Sequence, residues 1–287
     1  MTAIYREFDQ DELDTQYKAA ATVPNMQEFI DQYVSGSAEA RAKVDHVADI
    51  KFGPGAEETL DLFPVPGVKD APLFVFIHGG YWRMLSKNES SFMAPNLVSQ
   101  GIAVAAVNYT LAPDADIDQI VAECRRSLKW LYENAAEHGI DPNRIYVGGS
   151  SAGGHLTGMM VAGGWQEELG LPADVVKGGL PMSGLLDMEP IVGCFVNEWM
   201  QMSMEDGLRN SPDRNLPEEG CPLIVAVGGD ETDEFRRQSK DFAALWQTKG
   251  WPAEYLECAN INHFNAPLEL CKPDSEMTQK LIAMINN

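Results

Sequence analysis

Residues 147–155 read Val-Gly-Gly-Ser-Ser-Ala-Gly-Gly-His and contain the pentapeptide Gly149-Ser150-Ser151-Ala152-Gly153. Its flanks give it meaning. Arg144 to Val147 reads as a short buried strand, and Ala152 to Met160 reads as the start of a helix. A strand turning that sharply into a helix strains the backbone at its middle residue. Glycines two before and two after leave room where a Cβ would meet neighbouring backbone. Such a turn lifts the Ser151 hydroxyl clear of the sheet and over a helix N-terminus, where it can act as a nucleophile toward a carbonyl.

That attack creates an oxyanion, which needs N–H donors already in place. Ala152, the residue after the serine, supplies one. The others fall to His78-Gly79-Gly80-Tyr81-Trp82, directly after the apolar run Leu73 to Ile77, where Gly79 and Gly80 let the backbone approach closely. A general base must follow. His263 lies just past the strand-like Ala253 to Leu256, on a loop at the carboxyl end of a strand, where open α/β sheets keep their sites. His155 is one helical turn from Ser151, but on a descending helix it points into packing. His46 and His138 are expected at the surface, and His78 is expected to shape the glycine loop. The strand at 223–227 ends in Gly228-Gly229-Asp230-Glu231-Thr232-Asp233-Glu234. Asp233 and Glu234 suit the positive end of the next helix. Asp230 and Glu231 are the candidates to orient the imidazole, and the residues alone do not choose between them.

These parts must converge from position 78 to position 263, which favours one domain over the whole of 1–287. Residues 1–45 are polar and acidic and read as a helical extension, with Phe29, Ile30 and Tyr33 free to pack on the domain. Strands are expected near 47–52 and 59–64, then at 73–77 and 103–107. A helix from about Asp116 to His138 carries Ile117, Ile120, Val121, Cys124, Leu128 and Leu131 on one buried stripe. Further strands near 177–182, 223–227 and 253–257 alternate with helices near 232–249 and 275–285. That alternation predicts an α/β fold, a mostly parallel central sheet covered by helices on both faces. The segment 183–220 breaks the pattern and reads as a small cap insertion. Its Met188, Met200, Met202 and Met204 beside Phe195 and Trp199 suit either plain packing or an adaptable apolar pocket.

Composition narrows the partners. The net charge of −22 argues against nucleic acid and anionic membranes. No run of 18 or more apolar residues suggests a membrane span, and the first residues carry no secretory leader. Five cysteines, widely spaced and without C-x-x-C, fit a cytoplasmic location and argue against zinc. No metal or organic cofactor is expected. The expected partner is a small-molecule ester or amide, and the chain is expected to be a monomer or homodimer.

The combination resembles the kynurenine formamidase (arylformamidase) group of α/β-hydrolases and related carboxylesterases with HGG-type loops. His78 to Trp82, Gly149 to Leu156 and Asn262-His263-Phe264 carry the general part of the likeness. Ser183-Gly184-Leu185-Leu186-Asp187-Met188-Glu189-Pro190, Arg209-Asn210-Ser211-Pro212 and Glu234-Phe235-Arg236-Arg237-Gln238-Ser239 are more particular to this group. The resemblance implies the α/β-hydrolase fold and a catalytic triad in the order serine, acid, histidine. In the family's motif the acid stands three residues before the Glu of the Glu-Phe-x-x-Gln-Ser stretch, which assigns it to Glu231. The family's mammalian members carry Asp there, so Glu231 is a departure, though a chemically competent one. The expected triad is thus Ser151, Glu231 and His263, with Gly79, Gly80 and Ala152 expected as the oxyanion hole and Tyr81, Trp82, Phe195 and Trp199 expected as substrate contacts. The expected activity is cleavage of a small ester or aryl formamide through an acyl-enzyme. The alternatives are a short-chain carboxylesterase without formamidase activity and a non-catalytic small-ligand binding protein.

Overall fold

The computed structural model describes residues 2–287. Two helices come first, α1 (Gln10–Tyr17) and α2 (Gln27–Lys43), then β1 (Val47–Lys51), β2 (Thr59–Phe63) and β3 (Ala71–Ile77). A short α3 (Ala94–Ser99) leads to β4 (Ala103–Val107), α4 (Ile117–Asn134), β5 (Ile140–Ser150) and α5 (Ala152–Val161). After β6 (Val176–Met182) come three short helices, α6 (Glu189–Gly193), α7 (Asn197–Met200) and α8 (Met204–Arg209). The chain ends with β7 (Leu223–Gly228), α9 (Asp233–Thr248), β8 (Ala253–Cys258) and α10 (Glu276–Asn286).

The strands form one eight-stranded sheet in the order β1-β2-β4-β3-β5-β6-β7-β8. The β1–β2 and β2–β4 pairs are antiparallel, and the rest are parallel. Parallel strands are joined by crossovers that lay helices on both faces, so the central strands are apolar throughout: β3 and β4 are buried at every position. Two apolar layers result, one holding Leu128, Leu156 and Phe242, the other Phe92, Leu97 and Leu281. The α4 stripe expected from the periodicity is the buried one, Ile117, Ile120, Val121, Cys124, Leu128 and Leu131 all facing the sheet. Asp116 caps that helix by accepting from the Gln119 amide at 2.8 Å. The α-helix closes at Asn134, four residues before His138, and the intervening turn tightens to a 3₁₀ helix that stops at Gly139 with φ +74°.

Site-bearing loops all leave the carboxyl ends of β3, β5, β6, β7 and β8. Parallel pairing brings these ends to one rim, as the register Ile77 with Gly149 and Ser150 with Met182 shows.

Candidate active site

One residue makes the whole turn between β5, which ends at Ser150, and α5, which begins at Ala152. Ser151 takes φ +60° and ψ −118°, a conformation that costs a side-chain-bearing residue on the order of 1–3 kcal/mol. Surrounding bonds hold it there. Its N–H donates to the Met182 carbonyl at 2.9 Å, and its own carbonyl accepts from the His155 N–H at 3.0 Å. A Cβ on Gly153 would stand 2.0 Å from the Ile77 carbonyl oxygen, so only glycine lets α5 leave this close to β3. The hydroxyl-bearing residue therefore sits at the positive end of α5.

The loop after β3 abuts this turn, since a Cβ on Gly79 would lie 2.5 Å from the Ser150 carbonyl oxygen. Gly80 has φ +99°, and a Cβ there would meet the Met84 carbonyl oxygen at 2.3 Å. That bend turns the chain back, and the Arg83 and Met84 amides close onto the Gly80 carbonyl at 3.0 Å. Among the described residues the N–H groups of Gly79, Gly80 and Ala152 have no acceptor within the protein. Three unsatisfied donors beside a hydroxyl are what a developing oxyanion needs.

Glu231, at the end of the β7 loop, reaches His263: its Oε2 accepts from Nδ1 at 2.6 Å. Its other oxygen accepts from the Gly228 amide at 2.7 Å and from the Ser183 hydroxyl. Both partners of the pair are buried, with side-chain exposures of 6% for His263 and 1% for Glu231. The imidazole is wedged against Phe235 at 4.5 Å and Phe264 at 5.4 Å between centroids. With Nδ1 committed to the carboxylate, Nε2 is the ring nitrogen left for chemistry. Asp230, the rival from the sequence, is exposed. Ser183, not anticipated at the site from the sequence, directly follows β6 with φ +49°, and its N–H donates to the Ala226 carbonyl at 2.8 Å. Its signal was its place one residue past Met182, the register partner of Ser150.

Ser151, His263, Gly79 and Gly80 line one cavity of about 320 Å³, small but within the usual range for small-molecule sites. Tyr81, Phe195 and Trp199 line it too, as a cluster of edge-to-face rings with centroids 5.7–6.3 Å apart. Trp82 does not. Tyr81 and Trp82 both take left-handed backbone, φ +50° and +56°, which sends Trp82 the other way. It is fully buried, its ring 5.1 Å from that of His155, so its expected substrate contact is corrected to a packing role. Of the methionines of 183–220, Met188, Met200 and Met202 are packed in the core, and Met204 is exposed. The methionines that line the cavity are Met26 and Met84.

Much of the remaining wall comes from residues 17–33, which the sequence reading assigned only to packing. Tyr17, Ala19, Met26, Ile30 and Tyr33 all face the cavity. The segment is pinned: Tyr17 donates to Glu234 at 3.0 Å and accepts from Gln238 at 2.8 Å, while its carbonyl accepts from the Tyr81 hydroxyl. Tyr33 donates to the Phe264 carbonyl. Burial raises the pKa of Tyr17, Tyr33 and Tyr81 well above the usual phenol value, so all three stay neutral donors.

His155 is fully buried and binds the Asn210 carbonyl through Nε2 at 2.8 Å, away from the cavity. His78 binds the Gly79 carbonyl through Nδ1 at 2.9 Å and stacks on Tyr109 at 4.1 Å, holding the glycine loop as expected. His46 and His138 are half-buried against Phe63 and Trp130, not fully at the surface. Burial pushes His78 and His155 down to about 4. Between there and the ordinary histidine value of about 6.5, the unfolded chain binds protons that the folded chain does not, so stability falls as pH drops through that window. The variant His155→Gln is expected to lessen this slope by about 1.4 kcal/mol per pH unit, read from urea unfolding between pH 6.5 and 4. An unchanged slope would mean that His155 is not held neutral.

Among the described residues no group of three or more His, Cys, Asp or Glu is arranged to hold a metal ion, and no helix is long and apolar enough to cross a membrane.

Residues 60–177 match the BD-FAE family. The chain is 33% identical to a kynurenine formamidase from Salmo salar, across 98% of each chain. It is 32% identical to a kynurenine formamidase from Danio rerio, again across 98% of each. A solved structure from Silicibacter sp., assigned as a thioesterase, superposes with a TM-score of 0.83 at 28% identity, covering 96% of this chain and 99% of that one. An esterase from Pyrobaculum calidifontis shares the fold, with a TM-score of 0.71 at 18% identity over 92% of this chain and 94% of that one. The protein is therefore a hydrolase of the formamidase and carboxylesterase kind, and it belongs to the kynurenine formamidase family of α/β-hydrolases.

Proposed function

We propose that this protein hydrolyses aryl formamides, N-formylkynurenine among them, through a formyl-enzyme on Ser151. The observation that carries the reading is the buried Glu231–His263 bond of 2.6 Å opening onto the same cavity as the strained Ser151. The Ser151 oxygen attacks the formyl carbon while Nε2 of His263 takes its proton. Glu231 fixes the tautomer and stabilises the imidazolium. The resulting oxyanion is received by the free N–H groups of Gly79, Gly80 and Ala152, each donor worth on the order of 10²–10³ in turnover. The carbon–nitrogen bond breaks as His263 returns the proton to the departing aryl amine. Water then attacks the formyl ester, again with His263 as base, releasing formate and restoring the serine.

A formyl group has only hydrogen on its acyl side, so it demands little space near the serine. The aryl amine needs a larger apolar region, and the rings of Tyr81, Phe195 and Trp199 offer it. The full-length likeness to kynurenine formamidases supports the formamide over the ester. An esterase from Mycobacterium tuberculosis is 26% identical over 75% of this chain and 56% of its own. Comparing kcat/KM for N-formylkynurenine and p-nitrophenyl acetate tests the choice, with the formamide expected to be turned over at least as well. Formamide turnover lower by several orders of magnitude would leave a short-chain carboxylesterase. Failure of a fluorophosphonate probe to label the protein would leave a ligand-binding protein.

A further inference from the structure

Ser151 is not alone at this rim in carrying a side chain on a left-handed backbone. Ser183 has φ +49° and is fully buried. Glycine adopts such an angle freely and serine does not, so the backbone alone would favour glycine here. The turn is also clamped. The Ser183 N–H is held by the Ala226 carbonyl at 2.8 Å. The next residue is pressed on α5, where a Cβ on Gly154 would stand 2.8 Å from the Gly184 Cα. Strain kept at a buried residue points to a use for its side chain. That use is not contact with substrate, since Ser183 is absent from the cavity wall. Among the described residues its hydroxyl makes one hydrogen bond, to Oε1 of Glu231.

The place of Ser183 in the sheet shows what that bond can do. Met182, the last residue of β6, accepts the Ser151 N–H through its carbonyl. One residue later, Ser183 reaches the acid. The end of β6 therefore holds the nucleophile turn on one side and the carboxylate on the other. Glu231 receives donors from separate strands: the Gly228 amide of β7 at 2.7 Å and the hydroxyl beyond β6, both on Oε1. Its Oε2 is left to Nδ1 of His263. A buried carboxylate needs its hydrogen bonds to stay charged. A single donor on Oε1 would satisfy part of that need and leave the carboxylate plane free to turn. The second donor sets the plane, and with it the direction from Oε2 to the imidazole.

We propose that Ser183 is a positioning residue, its hydroxyl orienting the Glu231 carboxylate toward His263. The assignment rests on the Ser151, His263 and Glu231 reading and not on the choice of formamide over ester. Its test therefore measures kcat and KM with both N-formylkynurenine and p-nitrophenyl acetate. Ser183→Ala removes the hydroxyl and keeps the backbone strain, whereas Ser183→Gly removes both. Each is expected to lower kcat roughly ten- to a hundredfold, as loss of one hydrogen bond to a buried charge and a loosened base allow. KM should stay within about twofold, because the lost contact is not with substrate. Urea unfolding should place the glycine variant above the alanine one, so that stability follows the backbone angle while rate follows the hydroxyl. Added to Glu231→Gln, Ser183→Gly should cost less than about twofold, since no carboxylate remains to be oriented. If both Ser183 variants keep kcat within about twofold of wild type while Glu231→Gln is crippled, the triad stands and the proposal is overturned. A rise in KM at constant kcat, or an undiminished loss on the Glu231→Gln background, overturns it as well. Near-normal turnover by Glu231→Gln would remove the triad reading and the proposal together.

Discussion

Replacing Ser151 by alanine is expected to lower kcat by roughly 10⁵–10⁶, to the residue of catalysis that binding and the oxyanion donors supply alone. The size follows from the site's construction. The sheet holds residue 151 at φ +60° through backbone bonds to Met182 and His155, and alanine keeps both. The change therefore removes one oxygen from an intact scaffold and leaves His263 without a proton to take. Ser150 also lines the cavity and is the natural rival. Its substitution by alanine should cost no more than about tenfold, within the range of an ordinary packing change. The measurement is kcat with N-formylkynurenine, together with fluorophosphonate labelling of both variants. Retention of more than a few per cent of turnover by Ser151→Ala would falsify the nucleophile assignment.

Glu231→Gln carries the second largest expected effect, a loss of about 10³–10⁴ in kcat. The physical reason is a choice of tautomer. Oε1 of Glu231 faces two donors, the Gly228 amide and the Ser183 hydroxyl. A glutamine at this position must put its carbonyl oxygen there, because its NH₂ group cannot accept from either. The NH₂ then faces Nδ1 of His263 and donates to it. Nδ1 becomes the acceptor, so the ring's one proton moves to Nε2, the nitrogen that should receive the serine proton. Asp230→Asn, at the exposed neighbour, should change turnover by less than about twofold, as is usual for surface positions. Comparing the two variants under substrate saturation decides between the acids. A larger loss at position 230 would reverse the assignment.

How far the sequence could be read depended on how local each feature was. The serine turn was legible because strand, turn and helix lie within some fifteen residues and each carries its own pattern. The α4 stripe was legible for the same reason, its period being written in one helix. The choice between Asp230 and Glu231 was not legible from the residues around it. Which of two adjacent acids turns inward is set by Gly228 and by Ser183, the latter 48 positions away. The resemblance, counted from Glu234, named the residue that the geometry pairs with His263. Trp82 misled because its burial depends on two consecutive left-handed residues, and their angles leave no trace in residue type. The methionines of 183–220 were left open for a different reason. An apolar, adaptable side chain suits a pocket wall and a core equally, and only the packing of three short helices decides. The N-terminal contribution was half visible: Ile30 and Tyr33 gave a buried face without saying that part of it borders empty space.

That contribution sets a condition on the birth of the molecule. Tyr33 bonds the Phe264 carbonyl across 231 positions, and Phe29 stacks on the Phe264 ring at 6.0 Å. As a ribosome extrudes this chain, the Met26, Ile30 and Tyr33 strip meets Phe92, which stacks on Tyr33 at 5.2 Å, long before it meets Phe264. Until translation passes the His263 loop, the side of the strip that Phe264 covers is open to mispairing or chaperone capture. The nascent protein can then hold a nearly complete sheet and still have no enclosed chamber.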